Sequence, residues 1–116
     1  MSRTEEAASA VQRALLACMG PGAAEQIALA QARLAWHEVV ESAGFERGGM
    51  SSRLVAVIRG TAQVEASEPI LAQELNLRGE ALAFAVNQRM VGRPGATMVI
   101  GRVAVSVARS GGGGSL

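Results

Sequence analysis

The sequence contains no lysine, no aspartate and no tyrosine, and it has one cysteine, one histidine and one tryptophan. Each absence closes a class of chemistry. Without lysine there is no phosphate-loop lysine and no Schiff-base nucleophile. Without aspartate there is no Ser-His-Asp triad and no aspartate-held magnesium, so most ATP-driven mechanisms are excluded within this chain. Cys18 has no second cysteine to pair with, which suits a reducing compartment. Cys18 and His37 together cannot supply the four Cys/His ligands of a structural zinc site. Aromatic side chains are confined to Trp36, Phe45 and Phe84, few for a protein that stacks bases on exposed rings. The longest run of large apolar residues, Leu54–Ile58, is far short of the roughly 20 residues that span a bilayer. The acidic start, Met1 to Glu6, lacks the apolar stretch of a signal peptide. These features lead to the expectation of a cytoplasmic protein that is not an enzyme, with no cofactor, metal, membrane or small-molecule substrate.

What is present is a chain of 116 residues, 49% of them hydrophobic, enough for one domain with a core. All cations are arginine and all anions are glutamate. Their balance shifts along the chain: residues 1–50 carry four arginines against six glutamates, and residues 51–116 carry seven against four. The basic half is where a phosphate backbone would be met. Its arginines, Arg53, Arg59, Arg78, Arg89, Arg93, Arg102 and Arg109, are the candidate nucleic-acid contacts, because a guanidinium fork matches phosphate oxygens. The alternative is a solvated face in which Glu65, Glu74 and Glu80 neutralise them.

The periodicity predicts an α+β domain. Ser2 and Glu5 have the form of a capping box, and Ala8, Val11, Leu15 and Met19 follow at helical spacing. Gly20-Pro21-Gly22 breaks this helix, and a second, from about Ala23 to Ser42, carries Ile27, Leu34, Trp36, Val39 and Val40. Leu54–Ile58 is a compact β-branched run, expected as a strand buried on both faces or nearly so. Gly60-Thr61 makes a turn, and Ala62, Val64 and Ala66 alternate with polar residues as a second strand of a hairpin. Ser67 is placed to cap a helix with Pro69 in its first turn. Leu71, Leu75, Leu82, Val86 and Met90 continue that helix, which Gly79 is placed to split. Gly92-Arg93-Pro94-Gly95 ends it as a turn, and a third strand covers about Val99 to Val107. Residues 109–116 read as a flexible glycine-rich tail. A three-stranded sheet with helices on one face would bury these stripes.

Several of these segments resemble the DciA family of bacterial replicative-helicase loaders. Trp36-His37-Glu38-Val39-Val40 is similar to the Trp-x-x-Val-Val signature of that family. The block from Gly60 to Leu75 resembles its turn, strand and Ser-Pro entry to a helix ending Ala-x-Glu-Leu. Asn87 and Gly92 resemble the family's Asn and Gly at the close of the next helix. The resemblance covers about residues 8–108, within a domain placed at 3–108. It implies a fold like a K-homology (KH) domain, and the element order read above, preceded by an extra helix, agrees with the second KH topology: helix, strand, strand, helix, helix, strand. It also implies DNA binding and contact with the replicative DNA helicase at initiation.

A KH domain that grips nucleic acid clamps the backbone with a Gly-x-x-Gly loop between its paired helices. The matching segment here is Asn76-Leu77-Arg78-Gly79, with only the second glycine. Any binding is therefore expected to be electrostatic and weakly sequence-specific. Trp36 lies in an apolar stripe and reads as core. His37 beside Glu38 and Glu41 reads as a helix-surface group, and Cys18 as a small buried hydrophobe. Two other readings stay open: a pure protein-interaction domain docking through a sheet edge or its acidic half, and an RNA-binding KH-type protein.

Overall fold

The computed structural model describes residues 21–108. The expected first helix, with Cys18, and the tail from Arg109 lie outside the described residues. The order is α1 (Pro21–Ala43), β1 (Ser52–Ile58), β2 (Thr61–Ala66), α2 (Pro69–Leu77), α3 (Gly79–Met90) and β3 (Arg102–Val107). Pro21 and Gly22, expected in a break ahead of α1, are its first residues.

The strands form one mixed sheet in the order β1-β2-β3. β1 and β2 are an antiparallel hairpin, and β2 pairs with β3 in parallel. A parallel pair cannot be closed by a tight turn, so α2, α3 and the long segment after them carry the chain back. Gly79 does split the expected single helix. Arg78 stands between the halves at φ −107°, its N–H shared by the carbonyls of Glu74 and Leu75. Ser67 does not cap α2 as expected. Glu68 holds that position without a side-chain bond, and the Ser67 hydroxyl instead accepts from the Ser51 N–H at 2.9 Å, extending the hairpin past its last paired residues.

The core lies between the helices and one face of the sheet. α1 contributes Ala32, Ala35, Trp36, Val39 and Val40, and β2 contributes Ala62, Val64 and Ala66. Leu71 and Leu75 of α2 and Leu82, Val86 and Met90 of α3 complete it. Alanines at positions 32 and 35 let α1 come close, and burying each large aliphatic side chain contributes about 1.5–3 kcal/mol. Leu34, expected in this stripe, points away from it and is 55% exposed. Trp36 is buried, and its indole N–H donates to Ser52 Oγ at 3.0 Å.

The Leu54–Ile58 run is not buried on both faces. β1 is an edge strand with a register break between Leu54 and Ala56, which leaves Val55 as an inserted residue. The bulge sends Leu54 and Val57 to the core side and Ala56 and Ile58, opposite Gln63 and Thr61, to the outer face. Leu54 is buried and Ile58 is 56% exposed. Within the described residues no helix is long and apolar enough to cross a membrane.

Candidate nucleic-acid interface

The structure sharply divides the six candidate arginines that it describes. Four are held by glutamates. Arg53 meets Glu65 at 3.3 Å across the β1–β2 hairpin, and Arg78 meets Glu74 at 3.7 Å within one helical turn. Arg89 and Arg93 converge on a single oxygen, Glu38 Oε1 of α1, and Arg89 also donates to Ser42 Oγ at 3.1 Å. This cluster ties α1 to the end of α3 and the turn after it. Hydrogen bonding from Arg93, followed by Arg89, holds the Glu38 carboxyl below its ordinary pKa of 4.5 against the opposing effect of burial. Gly92-Arg93-Pro94-Gly95 is thus a turn whose arginine faces an internal partner. Arg109 lies outside the described residues.

Arg59 and Arg102 differ. Among the described residues neither forms an ion pair, and both side chains are exposed. The hairpin loop brings them to one end of the sheet. It is Arg59-Gly60, one residue earlier than expected, with φ of 51° and 79°. Positive φ at both central residues is the geometry that matches the right-handed twist of the two strands. An arginine pays for that conformation in steric strain that glycine avoids. The Gly60 carbonyl then accepts from Gly101 N–H at 2.7 Å and from Arg102 N–H at 3.2 Å, docking the loop onto the start of β3. Thr61, next to this loop, is the register partner of Arg102. Ile58, Thr61 and Arg102 form the outer-face row at this end, with Ala56, Gln63 and Ala104 behind them.

Both sheet edges are occupied by side chains. Arg33 of α1 donates from Nε to the Leu54 carbonyl and from Nη2 to the Val55 carbonyl, both at 3.1 Å, satisfying the bulge. On the far edge, the Asn76 amide pairs reciprocally with the N–H and C=O of Val105 at 3.2 Å each. Asn87 makes the same pair with Ile100 at 2.8 and 2.9 Å. Docking of a partner strand on either edge, one form of the protein-interaction reading, would have to displace these bonds. The segment matching a KH grip is likewise committed: Asn76 is turned to β3, and a Cβ on Gly79 would lie 3.6 Å from the Val103 carbonyl.

Sequence reasoning named Arg59 and Arg102 but not what sets them apart. The partners of Arg93 and Arg89 are 55 and 51 residues distant, and no local spacing signals such pairs. The roles of Arg33 and Asn76 were missed for the same reason. His37 is exposed on α1, as expected for a surface group. A groove of about 390 Å³ lies between the segment after α1 and α2, lined by Phe45, Met50, Ile70 and Leu71 together with Arg47 and Glu74. No family model, curated protein or solved structure matches the chain.

Proposed function

We propose that this chain is a DNA-associated module that helps recruit or load the replicative DNA helicase, acting by binding and positioning. The observation that carries the DNA half of this reading is the pair Arg59–Arg102. These are two exposed guanidinium groups without acidic partners among the described residues, set at one end of an open sheet face by a loop that holds Arg59 in a strained backbone conformation. Strain of this kind persists where the surroundings over-determine it, and it is enriched at binding sites.

The helicase half rests on the resemblance. Its signature residues have architectural roles here. Trp36 and Val40 are core, Asn87 holds Ile100, and Gly92 adopts φ 81°. The mixed sheet with α2 and α3 between β2 and β3 follows the element order of the second KH topology, which supports a likeness of fold. The side chains Ile70 and Leu77, both more than half exposed on α2, are the surface offered to a protein partner.

The test is a pull-down of the replicative helicase with this chain, with and without single-stranded DNA, using Leu77→Glu as the surface variant. Helicase retention that L77E weakens supports recruitment. Retention of neither helicase nor DNA would overturn the proposal. Tighter binding of RNA than of either DNA form would favour the RNA-binding reading.

A further inference from the structure

A second cationic site lies away from the Arg59–Arg102 pair, where α1 crosses the start of β1. A pocket of about 420 Å³ opens there, with Arg33, His37 and Arg53 among its lining residues together with Trp36, Ser52 and Leu54. Arg33 and His37 are one turn apart on α1, and Arg53 comes from β1. Among the described residues no carboxylate lines it. Three other surface pockets each include Glu74 or Glu65.

The nearby acceptors are already in use. Glu46 accepts from both the N–H and the hydroxyl of Ser52, and Ser52 in turn accepts from the Trp36 indole. Arg33 spends Nε and one Nη on the β1 carbonyls, which fixes its planar group. Its Nη1 has no acceptor among the described residues. Arg53 is paired with Glu65 at 3.3 Å, a solvent-exposed pair with 77% of the arginine side chain accessible, which a phosphate can compete for.

We propose that this pocket binds a phosphate group of a single-stranded nucleic-acid backbone; the proposal rests on the nucleic-acid reading above and names a second contact for it. An arginine anchored by two backbone carbonyls is a pre-organised donor, and its Nη1 can give a charge-assisted hydrogen bond to a phosphate oxygen. Trp36 is 1% exposed and offers no stacking platform, so the site takes the phosphate and leaves the base unread. An acidic peptide fits less well, because the edge carbonyls it would use for main-chain pairing are covered by Arg33. β1 runs from Ser52 to Ile58, with Arg59 immediately after it, so Arg53 at the pocket and the Arg59–Arg102 end lie about 20 Å apart along one strand. A single strand can reach both.

The chain reports on its own pocket, since Trp36 is the one tryptophan and gives the one indole N–H resonance. Oligothymidylate is titrated into the full-length protein while that resonance is followed by ¹H–¹⁵N NMR. The expected result is a saturable indole shift. In the double variant His37→Gln with Arg53→Ala, both at exposed positions, affinity should fall several-fold and the log–log salt slope by about one. The variant Arg59→Glu with Arg102→Glu should weaken affinity yet keep the indole shift at saturation. If oligothymidylate binds but the indole resonance stays fixed and the H37Q/R53A protein binds as the parent does, the pocket assignment is wrong and the nucleic-acid reading stands. Absence of any binding overturns both. An equal shift produced by polyglutamate at lower concentration would make the pocket an acidic-peptide site and overturn the phosphate assignment.

Discussion

Asn87 and Ile100 are joined as two strand residues would be. The Asn87 amide donates to the Ile100 carbonyl at 2.8 Å and its oxygen accepts from the Ile100 N–H at 2.9 Å. One side chain thereby satisfies both polar groups of a buried backbone position ahead of β3, and so fixes where the chain re-enters the sheet.

Replacing Asn87 by alanine leaves that N–H and C=O without partners, and an unsatisfied buried group costs about 1–3 kcal/mol. Urea denaturation should show a loss of about 2–4 kcal/mol for N87A. Asn76→Ala, whose pair with Val105 is exposed, should lose less than about 1 kcal/mol. Equal losses would show that the two amides are not distinguished by burial.

The Glu38 cluster predicts a pH dependence with a definite sign. Because Arg93 and Arg89 lower the carboxyl pKa in the folded state, the contribution is fully present above the ordinary value of 4.5. It is lost as pH falls below 4.5 through the depressed folded value. At pH 7, Glu38→Gln should lower the melting temperature, and the gap from the parent should shrink as pH drops below that value. A gap that is constant between pH 7 and pH 3 would mean that the charge on Glu38 contributes nothing.

Arg59 offers a trade between stability and binding. Its φ of 51° is one that asparagine and glycine adopt with less strain. Arg59→Asn should therefore raise stability by about 0.5–1 kcal/mol in denaturant melts while weakening nucleic-acid affinity. A stabilised variant with undiminished affinity would remove Arg59 from the interface.

Much of the fold was legible because its signals are local. The alternation of Ala62, Val64 and Ala66 matches their burial, Gly79 splits the helix pair, and Trp36 is core. What misled was equally physical. Leu54–Ile58 has the composition of a doubly buried strand, but a one-residue bulge at Val55 redistributes its side chains between two faces, and no spacing rule reveals a bulge. Ser67 has the chemistry of a cap, but its hydroxyl is engaged by the Ser51 N–H across the hairpin. For the candidate interface, the charge excess singled out the second half of the chain. It could not separate Arg59 and Arg102 from Arg89 and Arg93, because that difference depends on Glu38 arriving from α1.

The most direct measurement is fluorescence anisotropy of labelled single-stranded DNA at two salt concentrations, with the parent, R59E/R102E and Arg93→Ala. The account predicts binding that weakens steeply with salt, a large loss with a shallower slope in R59E/R102E, and near-parental affinity in R93A, whose guanidinium already serves Glu38. Parental affinity in R59E/R102E, or an equal loss in R93A, would contradict it.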